Sequence, residues 1–341
     1  MTGSSTDIRP DGNPRAGKPR VIVTRKLLPA TEARMCELFD VTLNEADVPF
    51  TREQLVEAVR TCDVLVPTVT DRIDAELIEK ASPSLGLIAN FGAGVEHIAI
   101  DAARARKVIV TNTPGVFTDD TADLTLALIL AVSRRLPAGV RQLMTGKWDG
   151  WGPSRQLGHS IAGKRLAILG MGRIGQAVAH RARAFGMEVR YHNRHQLPPA
   201  IETMLSARYE PDIDRLIAEA DILTLHCPAS PSTHHILDAG RIASMKPEAY
   251  VVNTARGSLI EEEALIAALA QGRIGGAALD VFHDEPNVDP RLFEVATVLT
   301  TPHVGSATFE GREAAGQRVI ANIRFWVDGH RPPDQVLPGE F

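Results

Sequence analysis

Cysteine is scarce in this 341-residue chain, which holds only Cys36, Cys62 and Cys227. They are scattered, odd in number and outside any CxxC pair, so neither a disulfide framework nor a cysteine zinc site is indicated. All three are expected to be small buried hydrophobes in a reducing compartment. Metal-ligand spacing is missing elsewhere too. His234 and His235 are adjacent, which does not give the i, i+4 geometry of a helical zinc site, and a solvated loop is expected there. Long apolar runs are also absent. The most apolar window, 124–132, is far too short to span a bilayer and is flanked by Asp123 and Arg134. Nor is there an excess of positive charge. Lys and Arg number 37 against 42 Asp and Glu, a net charge of -5. That leaves no basic footprint for nucleic acid and no polybasic membrane patch. An acidic substrate stays open, because a few local cations and backbone donors suffice for one. The first twenty residues lack the apolar stretch of a secretory signal and are rich in Gly, Pro, Ser and charge. A disordered lead over 1–19 and a cytoplasmic protein are the expectations.

What is present is an alternation of short apolar runs with amphipathic ones. RVIVT (20–24), VTL (41–43), CDVLVP (62–67) and LGLIAN (85–90) read as strands. Helical stretches fall between them, at 30–39, after Thr51 with Glu53 and Gln54 in its first turn, and from near Asp74. Strands alternating with helices argue for βα units and a parallel sheet. A long helix over 119–135, rich in Leu and Ala, is expected to be buried on most sides. An extended Gly-, Pro- and Trp-rich loop follows at 145–160. KRLAILG (164–170) then opens a second sheet, and the alternation runs to about Thr301. Length alone favours two domains. The organisation expected is a discontinuous first domain, 20–118 with 308–335, and a second domain, 119–307, inserted into it.

The second sheet begins with a chemical signal. A buried strand, 166–169, runs into Gly170-Met171-Gly172-Arg173-Ile174-Gly175, and a helix follows over 176–185. Gly170 allows the tight turn, Gly172 lets the backbone approach a pyrophosphate, and Gly175 permits close helix–strand packing. The helix N-terminus offers free N–H groups and positive dipole to phosphate. The strand before, the helix after and a further strand over 188–192 make this a dinucleotide loop rather than a chance glycine cluster. An NAD site places Asp or Glu about 20 residues on, at the ribose 2′-hydroxyl. Asn193 stands there instead, followed by Arg194 and His195. Asn193 does not repel a 2′-phosphate, and Arg194 can pair with one. NADP(H) is therefore expected over NAD(H), with NAD(H) the alternative.

Three charged residues follow strand-like runs. Arg256 ends VVNTAR, Glu285 lies beyond ALDVF (278–282), and His303 follows VLTTP (298–302). In open α/β sheets, ligands bind outside the carboxyl ends of strands. Singly, each residue has a bland explanation as a surface arginine, a solvated carboxylate or a structural histidine. Together they supply what reduction of a keto acid needs. A histidine beside the carbonyl oxygen delivers a proton, a carboxylate behind it holds its orientation, and a guanidinium binds carboxylate and polarises the carbonyl.

These segments carry a specific resemblance. NFGAGVEHI (90–98), TADLTLALIL (121–130), GMGRIG (170–175), NTARG (253–257), ALDVFHDEP (278–286) and TPHVGSAT (301–308) resemble the D-isomer-specific 2-hydroxyacid dehydrogenases, above all their glyoxylate/hydroxypyruvate reductase branch. The resemblance covers about 60–327. It implies two Rossmann-like or flavodoxin-like α/β domains with parallel sheets, the dinucleotide-binding domain inserted into the substrate-binding one. It implies that Arg256 binds substrate, His303 is the acid/base and Glu285 supports His303. Ala93, Gly94 and Val95 match the loop whose backbone N–H groups hold the substrate carboxylate. Arg173 and Ile174 fall at the pyrophosphate, Asn193 and Arg194 at the ribose, and Cys227 and Pro228 on the adenosine side. Thr254, Ala255 and Asp280 match positions beside the nicotinamide, Asp280 as acceptor for its carboxamide. Gly305 and Ser306 line the same pocket. The resemblance also implies a homodimer through the inserted domain, with Trp148 or Trp151 able to reach a neighbouring active site. Glu285 departs from the glutamine of the formate dehydrogenase branch. Only 38 residues follow His303, so the regulatory domain of many phosphoglycerate dehydrogenases is not expected. Two other readings remain: a reductase of a bulkier keto acid such as 2-ketogluconate or an aromatic one, and a nucleotide-sensing protein resembling the corepressors of this fold.

Overall fold

The computed structural model describes residues 17–337, so positions 1–16 of the expected lead lie outside the described residues. The chain divides into two compact units. One breaks off at Phe117 and resumes at Ala307; the other is Thr118–Ser306.

The first unit begins with β1 (Arg20–Val23), α1 (Pro29–Leu38), β2 (Asp40–Thr42), α2 (Arg52–Thr61), β3 (Val64–Val66), α3 (Ala75–Glu79), β4 (Leu87–Ala89), α4 (Ile100–Ala105) and β5 (Ile109–Thr111). Its five strands are parallel in the order β2-β1-β3-β4-β5, the flavodoxin-like order. Every residue of β3 and β4 is buried, which is why they read as continuous apolar runs rather than alternating ones. Helix starts follow local chemistry. Thr51 and Gln54 form the capping box their spacing predicts, and the Asp74 carboxylate accepts from the Leu77 N–H at 2.9 Å.

The second unit holds α5 (Thr118–Ser133), α6 (Leu136–Met144), β6 (Arg165–Leu169), α7 (Arg173–Ala184), β7 (Glu188–His192), α8 (Pro199–Leu205), β8 (Ala207–Tyr209), α9 (Ile213–Ala218), β9 (Ile222–Leu225), α10 (Ala239–Ser244), β10 (Tyr250–Asn253), α11 (Glu262–Ala270), β11 (Gly276–Leu279), α12 (Arg291–Glu294) and β12 (Val298–Thr300). The last helix, α13 (Phe309–Val327), belongs to the first unit. The seven strands are parallel, in the order β12-β11-β10-β9-β6-β7-β8. The strand order reverses between β6 and β9, the switch point where doubly wound sheets bind ligands. Side-chain alternation along β6 divides the core. Ala167 and Leu169 join the apolar cluster on one face, and Leu166 and Ile168 join that on the other. Covering both faces requires apolar residues at successive positions, as Leu166, Ala167, Ile168 and Leu169 supply.

Two expectations need correction. Cys36 is exposed, not buried: α1 turns Thr31 and Met35 inward, and Cys36 lies one step of about 100° further round the helix. His234 is exposed as expected for a solvated loop, but His235 is half-buried, its N–H donating to the Ser258 carbonyl at 2.9 Å. Residues 136–144, between the expected helix and the expected loop, form α6, whose Leu136, Val140, Leu143 and Met144 are all exposed.

Candidate active site

At the end of β6 the chain turns through Gly170 at φ +96, where a Cβ would lie 2.4 Å from the Cys227 nitrogen just beyond β9. Only glycine fits both the backbone angle and that contact. A Cβ on Gly175 would lie 2.3 Å from the Gly170 carbonyl oxygen, so α7 packs against the loop it leaves. Gly172 is the contrast, because a Cβ there would meet nothing within 4 Å. It stands at the N-cap of α7 without a side-chain cap, and the first intrahelical bond is donated by Gln176 to the Gly172 carbonyl. The amides of Arg173, Ile174 and Gly175 thus face the start of a twelve-residue helix with open space before them, a cradle that fits a pyrophosphate.

The ribose end is tied to the same loop. The Asn193 side-chain oxygen accepts from the Met171 N–H at 2.7 Å. Its Nδ2 group donates to no acceptor among the described residues, and Arg194 beside it is exposed. Tyr209 holds the Asn193 carbonyl through its hydroxyl at 3.1 Å. Cys227, just past β9, is half-buried, and burial pushes its thiol up to about 11. Pro228 beside it is exposed.

Three loops at the carboxyl ends of β10, β11 and β12 bring Arg256, Glu285 and His303 together. The Glu285 carboxylate takes a His303 Nδ1–H at 2.7 Å with Oε2 and the Phe282 N–H at 3.0 Å with Oε1. Burial pushes this carboxyl up, but the His303 hydrogen bond and charge, the Phe282 N–H and the Arg256 charge outweigh it and hold Glu285 below the usual carboxylate range. The Glu285–Pro286 bond is cis. Arg256 follows β10 in a loop that Asn253 pins: Asn253 accepts from the Ala255 N–H at 3.0 Å and donates to the Arg256 carbonyl at 2.9 Å. The neighbouring Gly257 packs on the Glu285 loop, where a Cβ would lie 2.0 Å from the Phe282 carbonyl carbon.

His303 has φ +53, in the left-handed region that costs a non-glycine residue about 1–2 kcal/mol. Asp280 secures that strained loop. It is 1 % exposed and accepts from the Thr301 hydroxyl (2.6 Å) and Val304 N–H (2.8 Å) through Oδ1, and from the Gly305 N–H (2.8 Å) through Oδ2. A carboxylate has about four acceptor sites, so one lone pair of Oδ2 is left for a further donor. Two residues outside the sequence-derived set complete the support, both on α5. Thr121 donates to the Gly305 carbonyl at 3.0 Å, and Thr125 shares a 2.9 Å hydrogen bond with Thr254. Their signal in the sequence was two hydroxyls one turn apart on α5. Ser306, half-buried, closes the unit beside this loop.

Ala93, Gly94 and Val95 belong to the first unit, in the loop after β4. The carbonyls of Gly92, Ala93 and Gly94 are all engaged: Asn90 Nδ2 donates to Gly92 (3.1 Å) and Gly94 (2.9 Å), Asn112 Nδ2 to Ala93 (2.7 Å), and the Thr113 N–H to Gly92 (3.0 Å). The N–H groups of Ala93, Gly94 and Val95 have no protein acceptor among the described residues. Successive unspent amides of this kind are what an anion-binding nest requires. A separate cavity of about 370 Å³, lined by Ser133, Lys164, Asp221, Lys246 and Tyr250 among others, lies at the amino ends of β6, β9 and β10, the edge opposite these loops. Trp148 and Trp151 are exposed on the segment after α6. Among the described residues no cluster of His, Cys, Asp or Glu is arranged to hold a metal ion, and no helix is long and apolar enough to cross a membrane.

Comparison with known proteins identifies the family. Residues 126–305 match the family model of the D-isomer specific 2-hydroxyacid dehydrogenase NAD binding domain. The glyoxylate reductase of Thermococcus litoralis is 42% identical over 324 residues, covering 94% of this chain and 97% of its own. A crystal structure of a D-isomer specific 2-hydroxyacid dehydrogenase from a Polaromonas species superposes with a TM-score of 0.88 at 38% identity, over 94% of this chain and 100% of that one. The NADPH-dependent glyoxylate/hydroxypyruvate reductase of Sinorhizobium meliloti, solved with NADP and malonate, gives 0.81 at 32% identity, over 94% and 97%. With a family model over more than half its length and such relatives along nearly all of it, the chain belongs to the D-isomer-specific 2-hydroxyacid dehydrogenases, a family of oxidoreductases.

Proposed function

We propose that this protein reduces a small 2-keto acid of the glyoxylate or hydroxypyruvate kind to the D-2-hydroxy acid, using NADPH in preference to NADH. The observation that carries the reading is the 2.7 Å hydrogen bond from His303 Nδ1 to Glu285, with Arg256 charge beside it. A bound reduced nicotinamide supplies a hydride to the carbonyl carbon. The chain must then bind the substrate, orient it and supply one proton to the carbonyl oxygen. Glu285 takes the Nδ1–H, so the proton to be transferred sits on His303 Nε2. Arg256 binds the carboxylate and stabilises negative charge as it grows on the oxygen. The unspent amides of 93–95 suit a substrate carboxylate, which makes the first unit the substrate-binding domain and the second the dinucleotide-binding domain. The α7 amides take the pyrophosphate, and the spare acceptor site on Asp280 takes the carboxamide N–H. Thr254, Ala255, Gly305 and Ser306 line the nicotinamide side. Cys227 and Pro228 line the adenosine side.

The NADP(H) preference rests on Asn193 and Arg194. Asn193 offers an unspent Nδ2 donor where a carboxylate would repel a 2′-phosphate, and the exposed Arg194 supplies the paired charge. The relative from Sinorhizobium meliloti, NADPH-dependent by name, supports this choice. Asn193→Asp preserves the acceptor for Met171 and adds the repelling charge. It should raise the ratio of kcat/KM for NADH over NADPH by about tenfold or more. A wild type that already prefers NADH would refute the preference.

The exposed stripe of Leu136, Val140, Leu143 and Met144 on α6, continued by Trp148 and Trp151, supports a homodimer through the second unit, with one of these tryptophans reaching the partner's site. A monomer by sedimentation would remove both ideas. A cytoplasmic location accords with three free cysteines. The activity is tested by following NADPH and NADH absorbance with glyoxylate, hydroxypyruvate, pyruvate, phenylpyruvate and 2-ketogluconate. Highest kcat/KM on one of the first two is expected. Preference for either of the last two would assign a bulkier substrate, and no turnover at all would sink the enzymatic reading.

A further inference from the structure

The nest at 93–95 works only if its carbonyls stay turned away from the anion. Asn90 turns two of the three. It is 1 % exposed, at the end of β4, and both donors of its amide are spent, on Gly92 and Gly94. That fixes which end of the amide is which. Were the group flipped, Oδ1 would face two carbonyl oxygens, acceptor against acceptor. Oδ1 must therefore be the atom at 3.0 Å from His97 Nε2, and an amide oxygen only accepts. His97 must then carry its proton on Nε2.

We infer that His97 is a positioning residue for substrate binding: its Nε2–H locks the Asn90 amide, which in turn holds the carboxylate-binding loop open toward the anion. The chain of contacts is continuous, from the imidazole to the buried amide to two carbonyls flanking Ala93. His97 is itself fastened, because its carbonyl accepts from the Ile73 N–H at 2.9 Å. Without the imidazole donor, Asn90 can rotate about its terminal torsion, release the Gly92 and Gly94 carbonyls, and let them turn toward the substrate's negative charge. Asn112 would still hold Ala93, so the loop would be loosened rather than lost. The consequence falls on binding of the keto acid. It does not fall on the cofactor, whose loops lie in the other unit.

The inference rests on the proposal that 93–95 bind the carboxylate, and the test separates the two. His97→Leu removes the donor; His97→Gln keeps an N–H of similar reach. For His97→Leu, KM for glyoxylate should rise about tenfold, equivalent to about 1.4 kcal/mol, with kcat and KM for NADPH within about twofold of wild type. His97→Gln should recover most of that loss. An unchanged KM in His97→Leu, or equal damage in both variants, would overturn the inference. Should His97→Leu fail to fold, nitrogen-15 NMR of the histidine-labelled wild type decides. A protonated Nε2 on His97 supports the lock, and a bare Nε2 refutes it. A crystal structure with NADPH and oxamate locates the carboxylate. Oxamate on the 93–95 amides with an unchanged His97→Leu KM defeats the lock alone, whereas oxamate bound elsewhere defeats the loop assignment and the lock together.

Discussion

Asp280→Asn is the substitution whose consequence follows most directly from hydrogen-bond geometry. The wild-type carboxylate accepts three bonds, from the Thr301 hydroxyl and the Val304 and Gly305 amides, in a site 1 % exposed. Asparagine has the same shape but only one oxygen. If that oxygen keeps Thr301 and Val304, the NH2 group points at the Gly305 N–H; if it keeps Gly305, the NH2 faces the Val304 N–H. Thr301 can reverse its hydroxyl to suit either arrangement, but the two backbone amides cannot. One buried N–H must lose its acceptor, at a cost of about 1–3 kcal/mol. For a unit of this size each kcal/mol lowers Tm by about 2–4 °C, so Tm should fall by about 2–12 °C. His303 directly precedes the two amides at a strained φ of +53, and relaxation of that loop moves the imidazole. A displacement of about 1 Å costs on the order of 100-fold in rate, and kcat should fall accordingly. Thr301→Val is the control. It removes one neutral donor and orphans no amide, so it should cost about 1 kcal/mol and spare kcat. Calorimetry and steady-state kinetics on both variants decide. Asp280→Asn with wild-type Tm and kcat would refute the reasoning.

Glu285 carries a pH dependence of known sign. Its carboxyl is held below the usual range in the folded protein, so its ionised form adds stability above the unfolded pKa, and that contribution disappears as pH falls through the folded one. Glu285→Gln should therefore be less stable than wild type at pH 7, with the gap closing on acidification; a gap that widens as pH falls would contradict the assignment. The second and third glycines of the dinucleotide loop should separate folding from binding. Gly175→Ala drives a Cβ to 2.3 Å from a backbone oxygen and should lower Tm steeply. Gly172→Ala enters open space and should leave Tm within about 1 °C while weakening NADPH by about tenfold. Equal effects of the two on Tm would show that the cradle is misread.

Much of this architecture is legible in the sequence because local chemistry and tertiary packing agree. β7 falls on the 188–192 run, and the Thr51 capping box starts α2. The buried strands announce themselves as unbroken apolar runs, and GMGRIG needs its glycines at backbone contacts that no side chain could share. Elements that do not pack into the core were harder to read. α6 buries none of its residues, so no apolar periodicity directed toward a core marked it. Arg256, Glu285 and His303 could be named, but their support could not. That Asp280 grips the His303 loop, or that Thr121 and Thr125 brace two loops over 100 residues away, depends on contacts that only folding creates. The His97–Asn90 pair is hidden for the same reason, since a histidine seven residues after an asparagine has no chemical signature until the loop closes between them.

The central claim is that His303 donates the proton in reduction of a 2-keto acid. The most direct measurement is kcat for NADPH-dependent glyoxylate reduction by His303→Gln beside wild type, with NADPH binding measured to show an intact cofactor site. The account predicts wild-type NADPH affinity and a kcat lower by about 10²–10⁴-fold, the range for loss of a general acid. A variant that binds NADPH normally and reduces glyoxylate at close to the wild-type rate would contradict it.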